Sequence, residues 1–369
     1  MTKLGWTFKN QDAASYDFTS SVQSFTYSQG RQSVLDNYVG GTCQITMRNN
    51  AGQVAAASLA YRQKVYLRCN AQVVFKGWVA GITYIDTPGN ANDATAVITL
   101  VDIWVIAGQQ IAQNQVLVDN TYQVDEIDAL LFYAGNFSQF GASTSIRGSL
   151  DYDSDYASRL NQIVASDRGY FKAAFGNYQY VSLDSIWATV DASYSFSSVA
   201  GAAVVSYESF NRIQAVGNRT YVNQAFVTPE SLATQSHSND LSTTVGPSAI
   251  TVATLNTTAN DGLNCAKWIA NSMGDSLERQ SYFITATDIA QQDSSILEFA
   301  LVYGVNFPLE YKPPGGVSTT ELTLTEGITV RGFIDRTEVD FYLSPYTYYN
   351  YFILNDTMNG VLDSSRLGW

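Results

Sequence analysis

Histidine is nearly missing from this sequence, charge is scarce and cysteine is sparse, and each shortage closes off a class of function. One histidine, His237, stands in 369 residues. A zinc site built on imidazoles is therefore excluded, and general acid–base chemistry loses its commonest agent. The three cysteines, Cys43, Cys69 and Cys265, are odd in number and far apart. They form neither a dense disulfide framework nor a four-cysteine zinc pattern. Cys43 and Cys69 lie in strand-like segments and are expected to be buried thiols of a protein folded in a reducing cytoplasm. No apolar run reaches the roughly 18 residues of a spanning helix. Residues Met1 to Asn10 contain no apolar stretch of leader length.

Charged residues make up only 14%, against about a quarter in ordinary domains. Ser, Thr, Asn, Gln and Tyr take their place, with 24 tyrosines. A surface so poor in Lys and Glu is hard to keep soluble alone, whereas Tyr-rich, Lys-poor surface is what subunit contacts use. Composition therefore favours an assembly protein over a secreted β protein of similar make-up. Acidic residues outnumber basic ones by 33 to 20, for a net charge of −13. The basic residues are scattered along the chain, so the clustered cations of a nucleic-acid binder are not expected. An acidic wall can still surround DNA, because like charge keeps a passing polymer from sticking.

Up to about residue 110 the sequence reads as short strands: Ser21 to Gln29, Thr42 to Asn49, Lys64 to Asn70, Val73 to Ile85 and Ala94 to Val101. Gly40-Gly41, Asn50-Ala51-Gly52 and Pro88-Gly89-Asn90 are the turns between them. Such spacing predicts an antiparallel barrel or sandwich. Helical spacing follows at Val124 to Ala134 and at Asp153 to Ala165, the latter capped by Asp153 or Ser154. A hairpin from Gly169 to Val181 turns at Gly176-Asn177. Strands resume around Ser193 to Asn223, and the polar stretch Thr228 to Val245 is expected to order only within an assembly. A third helix, Thr258 to Met273, carries Leu263, Ala266, Ile269 and Ala270 on one side and ends at Gly274. Tyr282 to Thr287 reads as a strand, Ile296 to Val302 is a short apolar run, and Tyr311 to Gly316 is a loop. The last strands expected are Glu321 to Thr325, Gly327 to Ile334, Thr337 to Leu343 and Tyr348 to Leu354. This order of β, α+β, β, α+β, β is not the alternation of a doubly wound sheet.

Few residues invite a chemical role. His237 lies in a polar, turn-rich stretch near Asp240 and reads as a solvated loop residue. Asp151, Asp153 and Asp155 alternate as in a calcium loop, but the sixth and twelfth positions, Tyr156 and Gln162, are not the Gly and Glu such a loop requires. Acidic capping of a helix start accounts for them, and likewise for Asp125, Glu126 and Asp128. Paired glycosidase carboxylates cannot be located in a sequence, and no nucleophile elbow, phosphate loop or dinucleotide fingerprint is present. Gly77 and Gly81 read as positions of strand curvature or close packing. No catalytic, cofactor or metal residue is assigned.

Three stretches resemble the tail-hub or minor tail proteins of siphophages, relatives of the baseplate hubs of contractile tails. Gly30 to Gly52 (GRQSVLDNYVGGTCQITMRNNAG) looks like the family's opening Gly-Arg, turn, strand and Asn-x-x-Gly. Val74 to Val79 (VFKGWV) followed by Val97 to Trp104 (VITLVDIW) is similar to strands of hub domains. Glu326-Gly327-Ile328, Val339 to Pro345 (VDFYLSP) and Gly360 to Trp369 (GVLDSSRLGW) resemble the C-terminal regions of actinophage minor tail proteins. Asp167 to Tyr180 and Asn256 to Gly274 fall where such proteins carry a hairpin and a last helix, so the likeness is colinear over nearly the whole chain.

The resemblance implies a β-rich α+β fold with two antiparallel β-barrel-like hub domains and two smaller α+β lobes. The divisions expected are residues 1–112 for the first hub domain, 113–188 for a lobe, 189–255 with 317–369 for the second hub domain, and 256–316 for an inserted lobe. It further implies a non-enzymatic virion protein, made in the host cytoplasm and located at the tail tip. It would form a homotrimer that joins the tail tube or distal tail ring to the tip and lines or gates the DNA exit channel. Expected partners are further copies of itself, the distal tail or tail tube protein, and a tail-tip fibre or tape-measure protein. Viral DNA would pass without specific binding, and the host envelope would be met indirectly. A hexameric distal tail ring protein and a receptor- or carbohydrate-binding tail module are the alternatives.

Overall fold

The computed structural model describes residues 5–10, 16–70, 72–109, 137–140, 155–174, 177–181, 196–197, 210–217, 221–239, 246–274, 280–287, 304, 306–312, 315–334 and 336–345. The expected helix at 124–134, the apolar run at 296–302 and the last strand at 348–354 lie outside these residues, as do Asp125, Glu126, Asp128, Asp151, Asp153 and Asp240.

Period-two alternation in the sequence becomes a two-faced strand wherever one face can be buried. In β3 (Thr42–Arg48) Cys43, Ile45 and Met47 are buried, while Thr42, Gln44 and Arg48 are exposed. Together with β1 (Trp6–Asn10), β2 (Val22–Gly30), β4 (Lys64–Cys69), β5 (Gln72–Thr87) and β6 (Asn90–Val101) it forms one half of a large sheet. The other half comes from far along the chain: β11 (Phe210–Gly217), β15 (Gln280–Thr287), β17 (Thr319–Gly332) and β18 (Thr337–Pro345), with β10 (Phe196–Ser197) and β16 (Asn306–Tyr311) attached beside β17. The strand order is β1-β4-β5-β6-β3-β2-β17-β18-β15-β11, twelve strands with the two attached ones. The antiparallel pair of β2 with β17 fuses the halves, placing Gly30 opposite Gly327. The fold is thus β-rich α+β as expected. Among the described residues no strand pair closes either half into a barrel.

The strands of this sheet share one apolar core in which Phe8, Tyr27, Phe75, Ile98, Ile284 and Phe341 are each essentially without solvent contact. Each such side chain contributes about 1.5–3 kcal/mol relative to exposure, so this core dominates the stability of the sheet. Gly77 confirms close packing: a Cβ there would stand 2.6 Å from the Phe75 ring. Gly81 sits at a register shift of β5, where the strand bends.

A second core lies beside the first. It includes Tyr38, Trp104, Leu160, Phe171, Ala266 and Ile269. The helices α2 (Ile103–Gly108), α3 (Tyr156–Asp167) and α4 (Ala259–Gly274) pack there with two small sheets, β7-β9-β8 (Phe137–Phe140, Asn177–Val181, Tyr170–Ala174) and β13-β12-β14 (Gln235–Ser238, Gln224–Pro229, Ala249–Thr254). A four-residue helix, α1 (Gln53–Ala56), follows the turn at Asn50 to Gly52.

Several expectations are corrected. The strand expected to end at Val101 does end there, and a helix not expected from the sequence follows: the Asp102 carboxylate accepts from the N–H groups of Trp104 and Val105 and so starts α2. Asp155, not Asp153 or Ser154, caps α3 by accepting from the Ser158 N–H at 2.9 Å. The β8–β9 register pairs Ala174 with Asn177, so Asn177 belongs to a strand rather than to the turn, and Gly176 lies outside the described residues. The face of α4 is rotated: Gly262, Cys265 and Met273 are buried with Ala266, Ile269 and Ala270, while Leu263 is only half-buried. The two strands expected at 321–325 and 327–334 are one, β17, carrying a bulge at Glu326. Residues 230–239 of the polar stretch form a turn and the strand β13 paired with β12, since cross-strand pairing satisfies their backbone without an apolar face.

The strands β12, β13 and β14 pair among themselves beneath α4, because only one face of β12 needs cover and the helix supplies it. β15 and β16 belong to the large sheet. Tyr282, Ile284 and Ala286 of β15 point into its core opposite β18.

Candidate functional site

The segment from Gly30 to Gly41 leaves the large sheet at the end of β2, crosses to the helical lobe and returns as β3. It is held at both ends. At the sheet end, the Arg31 N–H donates to the Glu326 carbonyl at 2.8 Å and its Nε donates to the Glu326 carboxylate at 2.8 Å. Both side chains are buried, with 5% and 1% exposure. The bulge in β17 turns Glu326 inward to meet Arg31, 295 residues away in sequence. The crossing admits no side chain at the glycines. Gly30 has φ of +88°, and a Cβ there would collide with the Glu326 carbonyl oxygen. A Cβ on Gly327 would stand 2.5 Å from the Arg31 carbonyl oxygen.

At the lobe end, Tyr38 is fixed by both its backbone and its ring. The Asn161 side chain accepts from the Tyr38 N–H at 2.9 Å and donates to the Tyr38 carbonyl at 3.1 Å. The Tyr38 hydroxyl accepts from the Phe171 N–H at 3.0 Å and donates to the Phe171 carbonyl at 3.3 Å. Its ring stacks on Trp104 at 5.8 Å, meets Phe171 edge-on at 5.7 Å, and receives the Arg31 guanidinium at 4.6 Å from its centre. Burial pushes the Tyr38 phenol well above its ordinary value and Arg31 pulls it part of the way back, so it remains a neutral donor. One aromatic side chain therefore ties strap, helix and hairpin together.

Under the strap lies a cavity of about 450 Å³ bounded by α3, β14 and α4. Among the described residues its lining has one carboxylate, Asp36, and no histidine, so these residues offer neither a paired-carboxylate nor an imidazole mechanism. Arg31, Arg168, Cys265 and Trp268 also contribute to it. Burial pushes the Cys265 thiol up to about 11, with Arg168 lowering and Asp167 raising it. Burial raises Cys43 as well. None of the three cysteines forms a disulfide and all are buried, as expected of Cys43 and Cys69, and Cys43 and Cys265 stay protonated thiols at neutral pH.

The other residues weighed from sequence fall elsewhere. His237 sits on β13, half-buried rather than in a solvated loop, with Nε2 at 3.3 Å from Asn271 Oδ1 of α4. Asp155 is a helix cap, and Gln162 of the rejected calcium pattern lines the cavity. Among the described residues no group of three or more His, Cys, Asp or Glu side chains is arranged to hold a metal ion.

The scattered basic residues are not scattered in space. Strand register puts Lys9 opposite Tyr66, and Tyr66 opposite Lys76. Lys64 and Arg68 lie two positions to either side of Tyr66 on the same outer face. Arg68 and Lys76 both stand 5.9 Å from the Tyr66 ring centre, and Lys64 stands 5.9 Å from that of Trp78. Partial burial and the neighbouring Lys64 charge push Lys76 below its ordinary value. Lys9 has a long ion pair with Asp17, 3.9 Å. Four cations thus surround one tyrosine. Their sequence separation hid them, and only strand pairing could have revealed them.

No family model matches this sequence, and neither does any curated protein. Solved structures do share its fold. The tail protein from Neisseria meningitidis MC58 superposes with a TM-score of 0.64 at 9% identity, over 94% of this chain and 98% of that one. The 43 kDa tail protein of prophage MuSo2 from Shewanella oneidensis gives 0.59 at 10% identity, over 93% and 98%. A chain of the Francisella PdpA–VgrG complex gives 0.52 at 11% identity, over 94% of this chain and 58% of that one. At such identities the likeness establishes the fold: this chain has the architecture of phage tail proteins over nearly its full length.

Proposed function

We propose that this chain is a structural, non-enzymatic subunit of a phage tail, located in the virion as the tail-tip or baseplate hub. In this reading it is a homotrimer that joins the tail tube or distal ring to the tip and lines the DNA exit channel. The observation that carries the proposal is the extent of the shared fold, 94% of this chain against 98% of the Neisseria tail protein, with no large part of either left over. Fold alone does not dictate function, so the site matters too. The segment from Gly30 to Gly41 is a joint whose two anchors, Arg31 and Tyr38, are partnered inside the chain, which suits a structural connection better than a reaction centre. The division into two hub halves and two lobes belongs to this proposal, supported by the strand pairing of the two halves of the large sheet, which among the described residues runs through β2 and β17.

Gold-labelled antibody against the chain, applied to intact particles, tests the location. Label at the tip alone is expected, and label along the tube or on the head overturns the proposal.

A further inference from the structure

Among the described residues β14 pairs with β12 alone, in parallel, and so forms one edge of its small sheet. The Ser248 and Thr254 carbonyls accept from the N–H groups of Gln224 and Glu230, so the even-numbered residues here turn their backbone groups towards β12. Successive residues of a strand point these groups to opposite edges. Thr251 and Ala253 therefore hold their N–H and C=O groups out at the other edge, and among the described residues neither has a backbone partner there. Leu255, next in the series, shows what such a group seeks: its N–H donates to Ser166 Oγ at 2.7 Å. Natural edge strands are blunted by charge, proline or a bulge. β14 reads AITVAT in unbroken register and has none of the three. The cavity under the strap opens along this edge. Residues 250 to 253 all line it, and because their side chains alternate between faces, the strand meets the cavity edge-on. Arg168 lines the same cavity, and its Nε is buried with no hydrogen-bond partner among the described residues. Asp36, the carboxylate of the lining, is exposed and keeps its hydration.

We propose that this edge takes an extended peptide segment of a partner protein, added to β14 as a further strand, with an acidic side chain on Arg168. Three observations choose that occupant. First, Thr251 and Ala253 offer N–H and C=O groups at a spacing of two residues, and an extended main chain presents acceptors and donors at the same repeat. A helix has already spent its backbone groups on itself, and phosphates supply acceptors alone. Second, the buried Arg168 Nε calls for a carboxylate, because a buried donor without a partner is costly and a charge-assisted bond is strong. Third, the rest of the wall is apolar. Val34, Leu35, Ile250, Val252 and Trp268 give cover to side chains of an incoming strand. The volume of about 450 Å³ lies within the range of about 300–1,000 Å³ typical of clefts that hold ligands. This contact goes beyond the tail-tip reading and does not rest on it.

Fluorescence anisotropy with the full chain tests this. The probes are end-capped, fluorescein-labelled heptapeptides of alternating valine and threonine, with one glutamate placed at each position in turn. At least one is expected to bind saturably at micromolar concentration. Changing its glutamate to lysine is expected to weaken binding at least tenfold, as is Arg168→Met in the protein. Methylating the amide nitrogens on one edge of that peptide is expected to weaken binding at least tenfold, and methylating the other edge to leave it within threefold. Thr251→Pro removes an N–H that β12 does not use and is expected to cost tenfold or more, while Thr251→Val keeps both the N–H and the binding. Should Thr251→Pro unfold, Arg168→Met and the methylated peptides still decide. If no peptide binds at millimolar concentration, the proposal is overturned. The same follows if binding survives Thr251→Pro and both methylations, or if an alanine-rich helical peptide binds equally well. None of these results bears on the position of the chain in the particle, so the hub reading stands or falls separately.

Discussion

Two tyrosines, Tyr38 and Tyr66, each have an arginine over the ring, and the contrast between them separates a buried joint from an outer face. At Tyr38 the cation is buried, its charge is met by Glu326, and every polar atom of the phenol and its backbone has a partner inside the chain. At Tyr66 four cations share a half-buried outer face, where the ion pair of Lys9 with Asp17 is long, 3.9 Å. A buried charge must be neutralised locally because desolvation is costly, whereas a half-exposed charge keeps much of its hydration. The first tyrosine holds two parts of the fold together. The second lies on its outer face.

Breaking the strap should have the largest effect. Glu326→Leu leaves Arg31 buried and unpaired and should cost about 3–5 kcal/mol in urea unfolding. Adding Arg31→Met should return most of that loss. Gly30→Ala forces a Cβ into a positive-φ site against the Glu326 carbonyl and should cost about 1–3 kcal/mol. Tyr38→Phe leaves the Phe171 N–H buried without its acceptor and should cost about 1–3 kcal/mol.

Asp155→Ala removes the cap of α3 and should cost about 0.5–2 kcal/mol at neutral pH. Partial burial works against the Asp155 carboxylate, but hydrogen bonds from the Ser158 N–H and hydroxyl outweigh it and hold its pKa below the ordinary 3.8. A lowered folded value means that the contribution is present above pH 3.8 and is lost as pH falls through the folded value. The variant should therefore differ from the wild type at pH 6 and converge with it in strong acid. By contrast, Lys76→Ala on the outer face should change stability by no more than about 0.5 kcal/mol. A large loss there would erase the distinction between the two tyrosines.

Local pattern made much of the sheet legible. Alternation located β2 to β6, and Tyr282 to Thr287 was recognisable as a strand without its partner. What escaped was whatever depends on register or distance. Glu326 interrupts an apolar run and so reads as a strand break, yet the polar residue is there because a bulge aims it at Arg31. The short helix after Val101 escaped because nothing local reveals that Asp102 accepts two backbone N–H groups. Leu263 reads as a core residue of its helix, while Cys265 and Met273 take that place. Lys9, Lys64, Arg68 and Lys76 are isolated in sequence and adjacent only after β1, β4 and β5 pair. The motifs Gly30-Arg31 and Glu326-Gly327 were legible through resemblance, but their meeting was not.

The hub reading is tested most directly by the symmetry of the intact particle at the position of this chain. A three-dimensional reconstruction of the tail, made without imposed symmetry, should show three copies of this fold around the axis at the tip. Six copies in a ring, or none at the tip, would contradict it.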